Sequence, residues 1–408
     1  MTRFPAAVQQ PLAGDPQRIP VVVAGLRTPI CRAGGQLRNV KVHELMAAVW
    51  EGLLNTTDIP GTSITEVLMG NAVGGSGNPA RLSLLEAGIP PSVPALTVDR
   101  QCTSGLDAIV MAARYIQAGA GEIYLAGGGE SISTAPLRAT RGADNSLTPY
   151  SRAQFAPLAA DGSGDPDMGI AAENVAVFSK ISRQSQDEFA LRSHQHALES
   201  ITRGTFAGET TQGQWCLAHD DGPRASLTAG ILSRFPPAFV SGGTVTAGNS
   251  CFDADAAAGV LMMSLAQAQQ FGISSGMVFV EAASAGVSPE LLGLGAAAAA
   301  KKLRVSGGIE DESHWPAGSL IEFNEAFAAQ TLACLYELGL DPSQANRSGG
   351  ALALGHAYGA SGAILVVRLM SQLHHNRING QEALALMSGA GGLGVAAHFQ
   401  YALDLAAI

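Results

Sequence analysis

The chain has 408 residues, of which 47% are hydrophobic and only 14% charged, and its formal net charge is −10. A chain of this length can bury a substantial core and divide into more than one subdomain. The acidic balance argues against nucleic acid and against an anionic membrane surface as partners. Five cysteines, at 31, 102, 216, 251 and 334, form neither a metal-binding pattern nor a disulfide framework. No run approaches the roughly 18 apolar residues of a membrane span. The first twenty residues, rich in Pro and Gln, lack the apolar run of a signal peptide. A cytoplasmic location is expected. So little charge also implies wide apolar interfaces between subunits, hence a homo-oligomer.

In chain order, residues 21–25, 66–70, 95–98 and 123–126 read as strands, separated by helical patterns at 42–54, 79–88 and 106–118. This alternation predicts an α/β sheet covered by helices. From about 134 to 246 the pattern loosens into Pro, Asp and Gly clusters with one polar helix at 182–201, which reads as an inserted loop domain. Strands at 277–282 and 320–323 resume the alternation and lead into a second half. The resulting division is 1–133, 134–246 (loop domain), 247–282 (return to the first half) and 283–408.

Cys102 lies where the strand ending at Val98 hands over to the helical pattern Leu106, Ile109, Val110, Ala113, Ile116. A cysteine in a long chain is more often a small buried residue than a nucleophile. At a helix N-terminus, however, free N–H groups and the helix dipole favour thiolate and predict a lowered thiol pKa. Two later segments share its setting of small residues. Asn324 and Glu325 interrupt the apolar run 321–329, and His356 lies among glycines 349, 350, 355, 359 and 362, ahead of an apolar helix at 364–373. A thiol, an amide and an imidazole supply the nucleophile, hydrogen-bond donor and base that acyl transfer through a thioester requires.

These segments resemble the motifs of the thiolase family. The match begins near Pro20 and includes Arg27–Ile30, Gly127–Ser131, Met168–Ala176, Thr244–Asn249, the Asn-Glu-Ala-Phe-Ala run at 324–328 and the Gly-His loop at 349–362. The resemblance implies a duplicated, five-layered α/β fold with an inserted loop domain. It also implies acyl transfer from acyl-coenzyme A, as substrate rather than tightly bound cofactor, in a homodimer or homotetramer with no metal. Cys102 would be acylated and His356 would take its proton. Asn324, through a water, would join His356 in one oxyanion site, and the N–H groups of Cys102 and Ala390 would form the other. Arg224 would meet the nucleotide end of coenzyme A, while Met168, Ala247, Gly248, Cys251 and Phe327 would lie along the pantetheine arm.

The departures from the family pattern are specific. The stretch Met387-Ser388-Gly389-Ala390-Gly391-Gly392 matches the C-terminal loop in which thiolases carry a second catalytic cysteine, and Ser388 takes its place; no cysteine follows Cys334. In the family that thiol exchanges a proton with the α-carbon or with coenzyme A. A hydroxyl is far less acidic and serves poorly unless a neighbour activates it. Asp167 stands where short-chain members often have His, and Cys251 where a serine is common.

The expected activity is C-acyl transfer that forms or cleaves a β-ketoacyl-coenzyme A. The alternatives are an acyltransferase or thioesterase that stops at acyl-Cys102, or a non-catalytic acyl-coenzyme A-binding subunit. A decarboxylating ketosynthase is disfavoured because Asn324 stands where that class carries a second histidine. Gly389, Gly391 and Gly394 satisfy the dinucleotide pattern G-x-G-x-x-G, but only fourteen residues follow, too few for the required βαβ unit, so a Rossmann site is rejected.

Overall fold

The apolar run at the start of the alternation forms β1 (Pro20–Arg27), followed by α1 (Val42–Thr57), β2 (Glu66–Gly70), α2 (Pro79–Glu86), β3 (Ala95–Val98), α3 (Ser104–Ala118) and β4 (Ile123–Glu130). The computed structural model describes residues 16–74, 77–150, 152–158, 160, 164–211, 213–215, 219–306, 315 and 318–408; Cys216 lies outside them. An inserted segment carries the hairpin β5 (Arg138–Arg141) and β6 (Leu147–Tyr150) and the helices α4 (Met168–Phe178) and α5 (Arg183–Thr202). After it come β7 (Ala254–Ser264), β8 (Gly276–Gly286), α6 (Gly295–Ser306), β9 (Leu320–Phe323), α7 (Ala328–Glu337), α8 (Tyr358–Asn376), β10 (Glu382–Gly389) and β11 (Leu393–Ala402).

The main sheet runs in the order β9-β10-β11-β8-β1-β7-β4-β2-β3 and repeats itself about its middle. From β1 outward, β7 and β4 are successive antiparallel neighbours, and β2 and β3 add in parallel. From β8 outward, β11 and β10 are antiparallel neighbours, β9 adds in parallel, and a single parallel bridge from Ile321 to Ala345 stands where β3 stands in the first half. The halves join where Val21 and Val22 pair with Val278 and Met277. We place the start of the second half at Gly276, earlier than 283, because β8 pairs with β11 over its length and with β1 at only these two positions.

Side-chain alternation sorts the core into layers. On β4, Ile123 and Leu125 point to a cluster with α1 and α2, while Tyr124 and Ala126 join a central cluster built on α3 and α8. On β10, Ala383, Ala385 and Met387 face the same central helices, and Leu384 and Leu386 face α6 and α7. The result is five layers, helices–sheet–helices–sheet–helices, with α3 and α8 in the middle.

Strand β7 was not anticipated. Its sequence, Ala-Asp-Ala-Ala-Ala-Gly-Val-Leu-Met-Met-Ser, has no polar alternation because all eleven residues are buried between β1 and β4. Strand β4 also runs past Ala126 through Gly127–Gly129, where a Cβ on Gly127 would lie 2.2 Å from the Ala258 carbonyl. The pattern of Gly389, Gly391 and Gly394 falls on a tight connection between the antiparallel strands β10 and β11, with Gly391 and Gly392 at φ of 77° and 84°. It has no strand-to-helix turn, in keeping with the rejection of a dinucleotide site. Among the described residues no helix is long and apolar enough to cross a membrane, and no cluster of metal-ligating side chains occurs.

The N-termini of α3 and α8 meet through glycine. A Cβ on Gly105 would lie 2.5 Å from the Gly359 carbonyl oxygen, and one on Gly128 only 1.9 Å from that oxygen. Gly105→Ala is therefore expected to lose roughly 1–3 kcal/mol of stability in urea unfolding. Gly208→Ala, where a Cβ would meet nothing within 4 Å, should stay within about 0.5 kcal/mol of the parent.

Candidate active site

The loop Asp99–Thr103 delivers Cys102 to the mouth of α3. Gln101 adopts a left-handed φ of 53°, and its N–H donates to Asp99 Oδ1 at 2.8 Å. The Arg100 N–H donates to Ser104 Oγ at 2.8 Å, and the Thr103 hydroxyl donates to Asp107 Oδ2 at 2.8 Å. Thr103 is the cap residue, so Cys102 sits just outside the helix. It is half-buried and opens into a cavity of about 360 Å³.

The expectation of a lowered thiol pKa does not hold. Burial pushes the Cys102 thiol up to about 11, outweighing the N–H groups of Ala390 and of Cys102 itself, which favour its charged form. These are the two donors assigned to one oxyanion site, and both favour charge on the sulfur.

His356 lines the same cavity. Its backbone N–H donates to the Phe252 carbonyl at 2.9 Å, and Nδ1 lies 2.7 Å from Ser361 Oγ on the first turn of α8. Gly355, at φ 108°, makes the turn into it; a Cβ there would press on Phe252. Burial lowers the His356 pKa to about 4, so the ring is neutral near pH 7, and buried Nε2 has no partner. In the tautomer whose Nδ1–H donates to Ser361 Oγ, Nε2 carries the lone pair, and burial makes it a weak base at rest.

Asn324 lies behind the cavity wall. Its backbone N–H donates to the Leu386 carbonyl at 3.1 Å, and its buried Nδ2 is unpartnered. The neighbouring Glu325 accepts from Asn346 Nδ2 and Ser193 Oγ, both at 2.7 Å, and from the Leu352 N–H at 3.2 Å. It thereby ties the Asn324 loop to α5 and to the turn before His356.

Ser388 and Ala390 also line the cavity. The Ser388 hydroxyl donates to the Gly293 carbonyl at 2.7 Å and accepts from the Ala296 N–H at 3.0 Å and Gln330 Nε2 at 3.3 Å. Its proton and both lone pairs are engaged, so none is left for substrate.

Of the expected pantetheine residues, Met168, Cys251 and Phe327 line the cavity; Ala247 and Gly248 do not. Arg224 is exposed and also outside the lining, with its backbone N–H donating to His194 Nδ1 at 3.2 Å. Arg32, with its guanidinium 3.9 Å from the Phe252 ring centroid, is its electrostatic neighbour.

The wall also contains residues that sequence reasoning missed: Arg152, Tyr358 and Gln330 among them. Arg152 binds Asp165 through two oxygens and also meets Asp167, which sequence reading had singled out. The Tyr358 hydroxyl donates to Asp253 Oδ1 at 2.6 Å. Gln330 was detectable in principle, since it follows Phe327 by three residues on the face of α7 turned to the site.

With this geometry established, comparison with known proteins is decisive. The thiolase N-terminal domain model matches residues 20–266 and the thiolase C-terminal domain model residues 275–401. The chain belongs to the thiolase family. It is 39% identical over 390 residues to a Staphylococcus epidermidis protein provisionally named acetyl-CoA C-acetyltransferase VraB, covering 93% of this chain and 98% of that one. A Staphylococcus aureus protein of the same name is 39% identical over 387 residues, with the same coverage. The crystal structure of the Bacillus anthracis acetyl-CoA acetyltransferase superposes with a TM-score of 0.83 at 33% identity, covering 94% of this chain and 98% of that one. This thiolase is thus an acyltransferase enzyme with the family's α/β fold.

The raised Cys102 pKa has a direct consequence in the unliganded enzyme. Alkylation of Cys102 by iodoacetamide, located by peptide mass spectrometry, should increase with pH through about 11, above the ordinary cysteine value of about 8.5. A midpoint at or below 8.5 would mean that the N–H groups outweigh burial.

Proposed function

We propose that this thiolase forms or cleaves a β-ketoacyl-coenzyme A through an S-acyl intermediate on Cys102. The observation that carries the reading is the convergence, in one cavity, of the Cys102 sulfur, the Ala390 N–H and a buried His356 nitrogen without a partner. The thiol is neutral at rest, so its proton passes to His356 Nε2 as the sulfur attacks the thioester carbonyl. The N–H groups of Cys102 and Ala390 receive the developing oxyanion, where one donor is worth about 3–4 kcal/mol. Asn324, with a free Nδ2 behind the wall, supports the second oxyanion site with His356 through a water.

Coenzyme A as substrate fits the apolar stretch formed by Met168, Phe239 and Phe327 and the basic pair Arg32 and Arg224 outside it. The engaged Ser388 hydroxyl favours a second reading, in which transfer stops at acyl-Cys102 and the acyl group is hydrolysed or passed to another acceptor. We further propose a homodimer or homotetramer, supported by Leu137 and Leu147, which stand 101% and 62% exposed at the β5–β6 hairpin.

Intact-protein mass spectrometry after mixing with acetyl-coenzyme A should show one acetyl adduct, mapped to Cys102 and absent in Cys102→Ala. His356→Ala should slow adduct formation by about 10²–10⁴-fold. A second acyl-coenzyme A should discharge the adduct as β-ketoacyl-coenzyme A; simple hydrolysis would select the second reading, and no adduct at Cys102 would overturn both. Light scattering at micromolar concentration should exceed the monomer mass of 41.7 kDa.

A further inference from the structure

Carbon–carbon bond formation on acyl-Cys102 needs a group that removes a proton from the α-carbon of the second thioester, and this group must face the cavity. His356 is occupied with the Cys102 proton. The Ser388 hydroxyl is engaged on three sides by Gly293, Ala296 and Gln330. Asp167 pairs with Arg152, and Asp253 Oδ1 accepts the Tyr358 hydroxyl. The guanidinium groups of Arg138 and Arg152 are hydrogen-bond donors only.

Cys251 remains. It is half-buried in the cavity wall, and no other side chain hydrogen-bonds its sulfur among the described residues. Its backbone is held by an N–H bond to the Ala326 carbonyl at 2.9 Å, so the residue is fixed against the Asn324 loop. The cavity it faces also contains the unpartnered, buried Nε2 of His356.

We propose that Cys251 is a second catalytic thiol, which carries the proton between coenzyme A and the substrate α-carbon. The proposal rests on the acyl-Cys102 reading and extends it to the carbon–carbon step. In the first half-reaction, Cys102 gives its proton to His356 and attacks; the S–C bond to coenzyme A breaks, and the departing thiolate takes the Cys251 proton. Acyl-Cys102, imidazolium and Cys251 thiolate then coexist. In the second half-reaction, the Cys251 thiolate removes the α-proton of the second thioester. The carbanion forms the C–C bond at the acyl carbonyl, the S–C bond to Cys102 breaks, and His356 returns its proton to Cys102. Every proton is restored, and no outside oxidant or reductant enters.

Electrostatics fit this order. Burial raises the Cys251 pKa, with Asp253 and a Cys102 thiolate adding to the rise. Transfer of the Cys102 proton leaves a neighbouring imidazolium, which favours thiolate at Cys251. Cys251 is therefore a proton donor at rest and a base only after the first half-reaction.

The test measures three things on the full-length enzyme: acetylation of Cys102 by mass spectrometry, exchange of acetyl-coenzyme A methyl protons with deuterium oxide by NMR, and the melting temperature. Cys251→Ser and Cys251→Ala should keep the parent's melting temperature and still bring Cys102 to full acetylation, more slowly because the departing thiolate lacks its proton donor, while losing exchange and condensation by at least about 10²-fold. Exchange retained within about threefold in both variants would overturn the proposal. So would loss of acetylation and exchange together with a lowered melting temperature, which would make Cys251 a packing residue. Absence of Cys102 acetylation in the parent enzyme would instead remove the acyl-Cys102 reading, and the proposal with it.

Discussion

The contact on which the site depends is the approach of three glycines. Gly105 opens α3, Gly128 lies in β4 and Gly359 opens α8, and backbone occupies the space where their side chains would be. Cys102 precedes α3 by two residues, and His356 precedes α8 by two. Bringing the helix starts together therefore brings Cys102 of one half and His356 of the other into one cavity. A methyl group at this junction would separate the loops by more than catalysis tolerates, since misplacement of about 1 Å can cost 10²-fold in rate.

Buried carboxylates hold the loops around that junction. Glu130, at the end of β4, accepts from Asn71 Nδ2 and from the N–H groups of Ala72, Val73 and Gly359, so one side chain links the cavity wall of the first half to the start of α8. Burial pushes its pKa up to about 7 despite those donors. Glu325 does the same work between the Asn324 loop, α5 and the turn before His356. Each such bond satisfies a donor that would otherwise be buried without a partner, which fixes the loops in place.

The same burial sets the chemistry. Cys102 is pushed up and His356 down, so both rest uncharged at neutral pH. The Cys102 and Ala390 N–H groups oppose the rise at Cys102, because they favour charge on the sulfur.

The amino-acid sequence by itself determined the α/β alternation, because the strands at 66–70, 95–98 and 320–323 are short apolar runs with turn residues at both ends. It also marked Cys102, Asn324 and His356, since a reactive residue in a small-residue loop before a helix is a local feature. Tertiary structure decided what depends on distant neighbours. β7 has no polar alternation to reveal it because both its faces are buried, and the seam between the halves, β8 beside β1, shows only in the sheet order. The dipole argument gave the wrong sign for the Cys102 pKa, because desolvation comes from residues far along the chain. That the Ser388 hydroxyl is engaged while the Cys251 sulfur is free was likewise decided by packing, since the partners of Ser388 lie on three other segments of the fold.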